Sequence, residues 1–358
     1  MCITKTDEFG NPESDCSQQP FPYVAWDPHS HHALGGGSYA FKENYVEYLD
    51  SLLPQDTKRT VVNIIIQPNS SPHIGTLCSL ILSFVVASRL QRLGREVTVV
   101  CDLWDQAKGE QVTIDGVVYQ TYSVKWEMRF ETDFLKQDGI SEIIHRIINN
   151  RAFFGRSLAP FSGVLALRAA CPSCGLVDKF ARHNLYSADD KDITFKCPDH
   201  GPFTYNFQFN CQLGNLVLGL YYETVRYGYI EICGSDYAGF WQEQLLWRHL
   251  SKPILIVYTP LLCDWSGAKV SKSWYLRGDA YEYLCNAGQE YLLNYKAFVK
   301  AGKDVGILCR EVDTWIEEPY RLFRAYTIHY MHLLFSGVAV GSGTVHTQEL
   351  KGNGRGQV

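Results

Sequence analysis

The chain lacks any unbroken apolar stretch long enough to cross a bilayer. Its longest apolar runs, residues 61–66 with Asn63 among them and residues 254–258, fall far short of the ~20 residues a spanning helix needs. The start, Met1-Cys2-Ile3-Thr4-Lys5, lacks the basic-then-apolar order of a secretory signal, so a cytoplasmic address is expected, with no membrane partner. Basic charge is not in excess either. The 33 Lys and Arg are outnumbered by 38 Asp and Glu, leaving −5, so no global field advertises nucleic acid, although a local basic groove remains compatible with that balance. Charged residues make up 20% and hydrophobic residues 46%, which excludes coiled coil, collagen and wholesale disorder and supplies a substantial core. The phosphate-loop pattern GxxxxGK[ST] and the dinucleotide pattern GxGxxG are both missing, which removes ordinary NTPase and dehydrogenase readings. At roughly 150 residues per domain, 358 residues mean two domains or one with a large insertion.

Cysteine is what the chain has in quantity: there are 12. A secreted disulfide scaffold is usually short and carries a signal, so a reduced compartment fits better. Spacing singles out Cys171-x-x-Cys174 and Cys197-x-x-His200, each followed by Gly. Two such knuckles supply a closed tetrahedral set for a structural zinc, with no position left for catalysis. The other cysteines read as small buried hydrophobes. The cluster His29, His31 and His32 reads as a solvated loop.

Along the chain, residues 1–40 are polar and turn-rich and read as a poorly ordered arm, and 341–358 as a disordered tail. The run at 61–66 predicts a strand buried on both faces, residues 74–93 a helix closed by Gly94, and 96–102 a second strand. That is a βαβ unit. A helix is expected over 133–150, with Ile140, Ile143, Ile144, Ile147 and Ile148 on one side. Strands are expected at 227–234 and 253–258, a helix at 238–250, and helices from 279 to 334. The predicted fold is α/β: a doubly wound parallel sheet of Rossmann-like (HUP-type) form with an inserted zinc module and C-terminal helices. Its parts are 41–164 and 213–275 for the two halves of the catalytic domain, 165–212 for the zinc insertion and 276–340 for the helical subdomain.

Two loops carry candidate chemistry. Pro68-Asn69-Ser70-Ser71-Pro72-His73-Ile74-Gly75-Thr76 lies between a buried strand and a helix N-terminus, where free amides and the helix dipole favour an anion. Ser266-Gly267-Ala268-Lys269-Val270-Ser271-Lys272-Ser273 places two lysines three apart among small residues, suited to neutralising a polyphosphate.

Together these resemble the HIGH and KMSKS motifs of class I aminoacyl-tRNA synthetases, as His73-Ile74-Gly75-Thr76 and Lys269-Val270-Ser271-Lys272-Ser273. Gly234-Ser235-Asp236 resembles the ribose-binding motif of that class, and the interposed Cys/His module is most similar to the archaeal-type lysyl enzymes. The resemblance spans about residues 58–330. It implies ATP with Mg²⁺, an aminoacyl adenylate, and transfer to the acceptor end of tRNA. His73 would touch ATP phosphate, and Lys269 and Lys272 would neutralise the pyrophosphate. Gly75, Thr76 and Ser271 would line the ATP site, and Gly234 and Asp236 would hold the ribose.

The chain departs from that pattern at Thr76, in place of His or Asn, and at Tyr237, where the lysyl enzymes carry His. Glu223 stands where an aromatic residue is expected, and a carboxylate there would pair with a cationic substrate, arginine as readily as lysine. Asp102 and Asp105, at the end of the second strand, are further pocket candidates, with Tyr237 beside them. After about residue 335 too little chain remains for an anticodon-binding domain. Two enzymatic expectations result: an ATP-dependent adenylating enzyme for a basic amino acid, or a tRNA-dependent cyclodipeptide synthase that joins aminoacyl groups, arginine included, from charged tRNAs. A non-catalytic tRNA-binding homologue is the third.

Overall fold

The computed structural model describes residues 43–66, 71–103, 125–134, 136–158, 163–165, 167, 169, 171–174, 184–187, 192–206, 214–238, 250, 254–271, 275 and 280–337. The expectations for 1–40, for 341–358, for Asp105, for Lys272 and for nearly all of the 238–250 helix lie outside these residues.

In chain order the described elements begin with α1 (Tyr45–Leu52), β1 (Arg59–Ile66), α2 (Ile74–Arg92), β2 (Glu96–Leu103) and β3 (Lys125–Phe130). Then come α3 (Glu131–Phe134), α4 (Ile140–Asn149) and α5 (Arg151–Leu158). A small antiparallel sheet follows: β4 (Leu185–Tyr186), β5 (Asp192–Cys197) and β6 (Gly201–Asn206). The chain continues through α6 (Gly214–Thr224), β7 (Gly228–Gly234), β8 (Leu255–Thr259) and β9 (Leu262–Cys263). It closes with α7 (Glu282–Asn286), α8 (Tyr295–Lys300), α9 (Val305–Glu317), β10 (Tyr326–Thr327) and α10 (Ile328–Phe335).

Five strands form one all-parallel sheet in the order β3-β2-β1-β7-β8. The antiparallel sheet interrupts it in sequence, between β3 and β7. Alternation along each strand separates two cores. On one face Val62, Ile64, Val97, Val99, Ile230, Ile232 and Val257 pack with α2 and the C-terminal helices. On the other, Val61, Val100 and Tyr229 pack with α4 and α6, and this core continues into Ile193 and Phe195 of the small sheet. A strand so enclosed leaves no solvent face, which is why β1 is buried from Thr60 to Ile64.

Helix α2 is the pillar of the first core. Cys78, Leu82, Val85, Val86 and Leu90 are wholly buried, and Arg89 in its last turn pairs with Asp313 at 2.8 Å and Glu317 at 2.7 Å on α9. A cation at a helix C-terminus also suits its dipole. Gly94, at φ +91°, then turns the chain into β2. By length and composition α2 could cross a bilayer, although Ser, Gly and Arg punctuate it and no unbroken apolar run marks it in the sequence. Half of its most apolar window is buried inside the fold, the position of a core helix. The isoleucine stripe of α4 is buried as expected, from Ile140 through Ile148.

Two features differ from the sequence reading. Strand β3, Lys-Trp-Glu-Met-Arg-Phe, was not expected, because its polar and apolar residues alternate where the central strands are mostly apolar with single polar residues. The C-terminal region is helical, but β10 adds a short parallel pair with β9, Tyr326 opposite Leu262.

Candidate functional site

The strand order runs outward in opposite directions from the β1/β7 pair: β2 and β3 extend one way, β8 the other. At such a reversal the connections leave a crevice beyond the carboxyl ends of the strands. The segments that leave β1 and β7 at that edge are those that hold His73 and Asp236.

His73 is the N-cap of α2. It has extended backbone angles, and its Nδ1 accepts the Gly75 N–H at 3.0 Å. Accepting there puts the ring proton of the neutral imidazole on Nε2. This gives Gly75 a reason the sequence did not reveal. A Cβ at residue 75 would lie 2.8 Å from His73 Cε1, so the imidazole occupies the space a side chain would take. The same Cβ would lie 3.5 Å from Leu262 Cδ1, which brings β9 against the start of α2. Thr76 sits in the first turn, its N–H bonded to the His73 carbonyl at 3.0 Å. The cap already engages one of the amides this helix end would offer an anion, and leaves Nε2–H of the imidazole as a donor in its place. Upstream, Ser71 Oγ accepts the Tyr295 N–H at 3.1 Å and fastens the loop to the start of α8.

Gly234 ends β7 and opens a single 3₁₀ turn, Ser235–Tyr237. A Cβ on Gly234 would stand 2.5 Å from Asp236 Oδ1, so the glycine lets the aspartate fold back over the strand end. The second carboxylate oxygen of Asp236 holds Lys269 Nζ in an ion pair. Lys269 comes from the hairpin after β9, where Val270 N–H donates to the Leu262 carbonyl at 2.8 Å. Asp264 stiffens that hairpin by accepting the Ser266 N–H at 2.8 Å and the Ala268 N–H at 3.2 Å. Trp265 is left at its tip, 81% exposed. Tyr237 is half exposed, with Lys269 Nζ 6.0 Å from its ring centre. Ser271 N–H donates to the Tyr281 hydroxyl at 2.9 Å. His73, Gly75, Gly234, Asp236 and Lys269 thus gather at one edge through Leu262, and a cation that the sequence assigned to phosphate instead neutralises the aspartate assigned to ribose.

Two residues that sequence reasoning passed over lie on the second face of the same strands. Asn63 of β1 and Glu231 of β7 stand directly opposite in register and therefore share a face. Asn63 is wholly buried, and among the described residues its side-chain Nδ2 and Oδ1 have no hydrogen-bond partner. Glu231 is 4% exposed. Burial, and then the charge of Asp102, push its carboxyl up to about 7. Asp102 is buried on β2, opposite Ile65 and so one pleat nearer the carboxyl edge. The signal was present in the sequence as single polar residues inside Val-Val-Asn-Ile-Ile and Tyr-Ile-Glu-Ile-Cys.

Glu223 is not part of this group. It lies near the end of α6, which leads into the amino end of β7, whereas the site is at the carboxyl end, about 20 Å away along a seven-residue strand. Tyr222 fixes that location by stacking on Tyr229, the second residue of β7, with ring centres 3.5 Å apart. The resemblance placed Glu223 in the segment before the ribose strand, and that segment meets the amino end of β7 rather than its carboxyl end.

The candidate metal site is separate. Ligand atoms of Cys171, Cys174, Cys197 and His200 all lie within 4.8 Å of one another. Cys174 and Cys197 sulfurs are 3.7 Å apart, and His200 Nδ1 is 3.8 Å from Cys171 Sγ and 3.6 Å from Cys197 Sγ. A tetrahedron with metal–sulfur bonds of about 2.3 Å has edges of about 3.8 Å, so this spacing fits one ion. Cys197 closes β5 and Gly201, at φ +79°, opens β6, so the second knuckle is the turn of that hairpin. Burial works against a thiolate at Cys171, but N–H groups of Ser173 and Cys174 and the neighbouring thiols outweigh it and hold the group at about 7. Phe195 stacks on Phe203 beneath the cluster, and the two belong to the second core. The nine described cysteines form no disulfide.

Compared with known proteins, the chain matches no family model and no curated protein.

Proposed function

We propose that the chain is an aminoacyl-tRNA-synthetase-like enzyme. It activates a basic amino acid with ATP and Mg²⁺ as an aminoacyl adenylate and passes it to tRNA or a small acceptor. The observation that carries this reading is the convergence of the α2 N-terminus, Asp236 and Lys269 where the strand order reverses. The strand order and the helices on both faces support a Rossmann-like, HUP-type reading of the sheet, and a cytosolic setting suits its unoxidised cysteines.

In this reading a nucleotide enters at the carboxyl edge beside Gly75 and Gly234, whose missing side chains make room for the His73 imidazole and the Asp236 carboxylate that meet it. Its ribose hydroxyls take the Asp236 carboxylate, which frees Lys269 for the phosphates. His73 Nε2–H donates to a phosphate oxygen while Nδ1 remains on the helix cap. No side chain acts as nucleophile; rate enhancement comes from positioning and from neutralising charge on the departing pyrophosphate. The Cys3His set would hold zinc as a structural ion, with all four positions taken by protein.

The Lys269–Asp236 pair favours a second reading. Lysine and aspartate satisfy each other without a nucleotide, as suits a cyclodipeptide-forming transferase that receives already activated aminoacyl groups from tRNA. Product analysis by mass spectrometry, with and without ATP, total tRNA and ribonuclease, separates the two. Adenylation predicts ATP consumption that depends on a basic amino acid and resists ribonuclease. A dipeptide that needs charged tRNA and no ATP supports the transferase and overturns adenylation.

A further inference from the structure

The second face of the sheet holds a polar group that the activation chemistry does not use. Asn63 and Glu231 sit side by side on adjacent parallel strands, inside an otherwise apolar core formed by Val61, Val100, Tyr229 and α6. A buried amide with neither donor nor acceptor engaged carries the full cost of its desolvation, and a buried carboxylate carries more. Among the described residues no hydrogen bond or ion pair reaches Glu231. The charge of Asp102 acts against its ionisation. An interior that only had to be stable would place Val or Leu at both positions, as it does at Val62 and Ile232. The arrangement has the donors and acceptors of a site whose ligand supplies a positive charge and several N–H groups.

We propose that Asn63, Glu231 and Asp102 form the pocket that reads the cationic side chain of the aminoacyl substrate. The row lies three residues, about 10 Å, inside the carboxyl ends of β1 and β7. That is the depth to which an arginine or lysine stem reaches when its carboxyl group stays at the edge beside His73 and Asp236. Glu231 and Asp102 flank β1 diagonally and supply acceptors from two sides; Asn63 Oδ1, between them, supplies a third. A guanidinium uses such a divided set through its planar fork of donors, and an ammonium through its three N–H groups. The pocket rests on the reading of the chain as an enzyme for a basic aminoacyl group, and it replaces Glu223 as the source of that preference.

The test is calorimetric titration of the metal-loaded full chain with the methyl esters of L-arginine, L-lysine, L-citrulline and L-norleucine. Esters remove the carboxylate and imitate an activated aminoacyl group. The arginine and lysine arms decide which cation is preferred. At least one cationic ester binds the wild type ten times or more tightly than citrulline or norleucine. Glu231→Gln weakens that binding at least tenfold, and Asn63→Val weakens it by less. Both variants retain the wild-type circular dichroism and metal content. The proposal is overturned if neither cation binds, if citrulline binds as well as arginine, or if Glu231→Gln binds like the wild type. Cation binding lost in Glu231→Gln, without amino-acid-dependent ATP turnover, keeps the pocket and removes adenylation. ATP turnover with a neutral amino acid keeps adenylation and removes the pocket.

Discussion

Replacing Glu231 by Gln should make the protein more stable, and by an amount that depends on pH. The carboxyl goes from 4.5 to about 7 on folding, because burial and then Asp102 oppose its charge. Each tenfold change in proton affinity is worth about 1.4 kcal/mol, so ionised Glu231 costs the folded chain about 3 kcal/mol. Between these values the folded protein keeps a proton that the unfolded chain has lost. Stability therefore falls as pH rises through the window from 4.5 to about 7, and the loss is complete above it. Gln fills nearly the same volume and cannot ionise. The advantage of Glu231→Gln should be about 3 kcal/mol near pH 8 and about 1 kcal/mol near pH 5.5, a difference of about 2 kcal/mol. Urea unfolding of both proteins at the two pH values, followed by tryptophan fluorescence, measures it, and titrations common to both cancel in the comparison. An advantage equal at both pH values, or a variant less stable than wild type at pH 8, would show that Glu231 is compensated in the folded state and refute the reasoning.

Other outcomes follow from single contacts. Gly75→Ala puts a Cβ 2.8 Å from His73 Cε1, so the imidazole must leave the Gly75 amide. Loss of that cap costs about 1 kcal/mol in thermal or urea unfolding, and ATP-dependent turnover should fall at least tenfold. Lys269→Ala removes an ion pair whose side chains are 43% and 28% exposed, so stability should change by less than about 1 kcal/mol. Steady-state kinetics should nonetheless show turnover reduced by about 100-fold or more, as expected if the proposed activity uses the lysine against developing charge. Cys197→Ser should reduce bound zinc, measured by elemental analysis, from one ion per chain to none. It should also lower the melting temperature by several degrees, because β5 shares a core with α4 and α6.

The elements that local pattern determines were legible in the sequence. Continuous apolar strands, the isoleucine stripe of α4 and the paired knuckles each follow from spacing within a few residues, and the structure places them where spacing put them. What was not legible depends on what lies across the sheet. Asn63 and Glu231 are more than 160 residues apart in sequence and become a pair only through the β1–β7 register. Glu223 was assigned from its place in the segment before the ribose strand, but a strand carries its two ends about 20 Å apart, and only the carboxyl end faces the crevice. His73 was read as a phosphate ligand, and the cap it forms on its own helix emerges only when the imidazole is seen to need the space left by Gly75. Strand β3 was not legible because its alternating pattern differs from the mostly apolar strands beside it.

The central claim, activation of a basic amino acid at the α2–Asp236–Lys269 edge, is tested most directly by ATP–pyrophosphate exchange. The assay takes each of the twenty amino acids in turn, with wild type and Lys269→Ala side by side. The account predicts exchange with arginine or lysine, little with neutral or acidic amino acids, and loss in the variant. Absence of exchange with every amino acid, in protein that holds its metal and its fold, would contradict it.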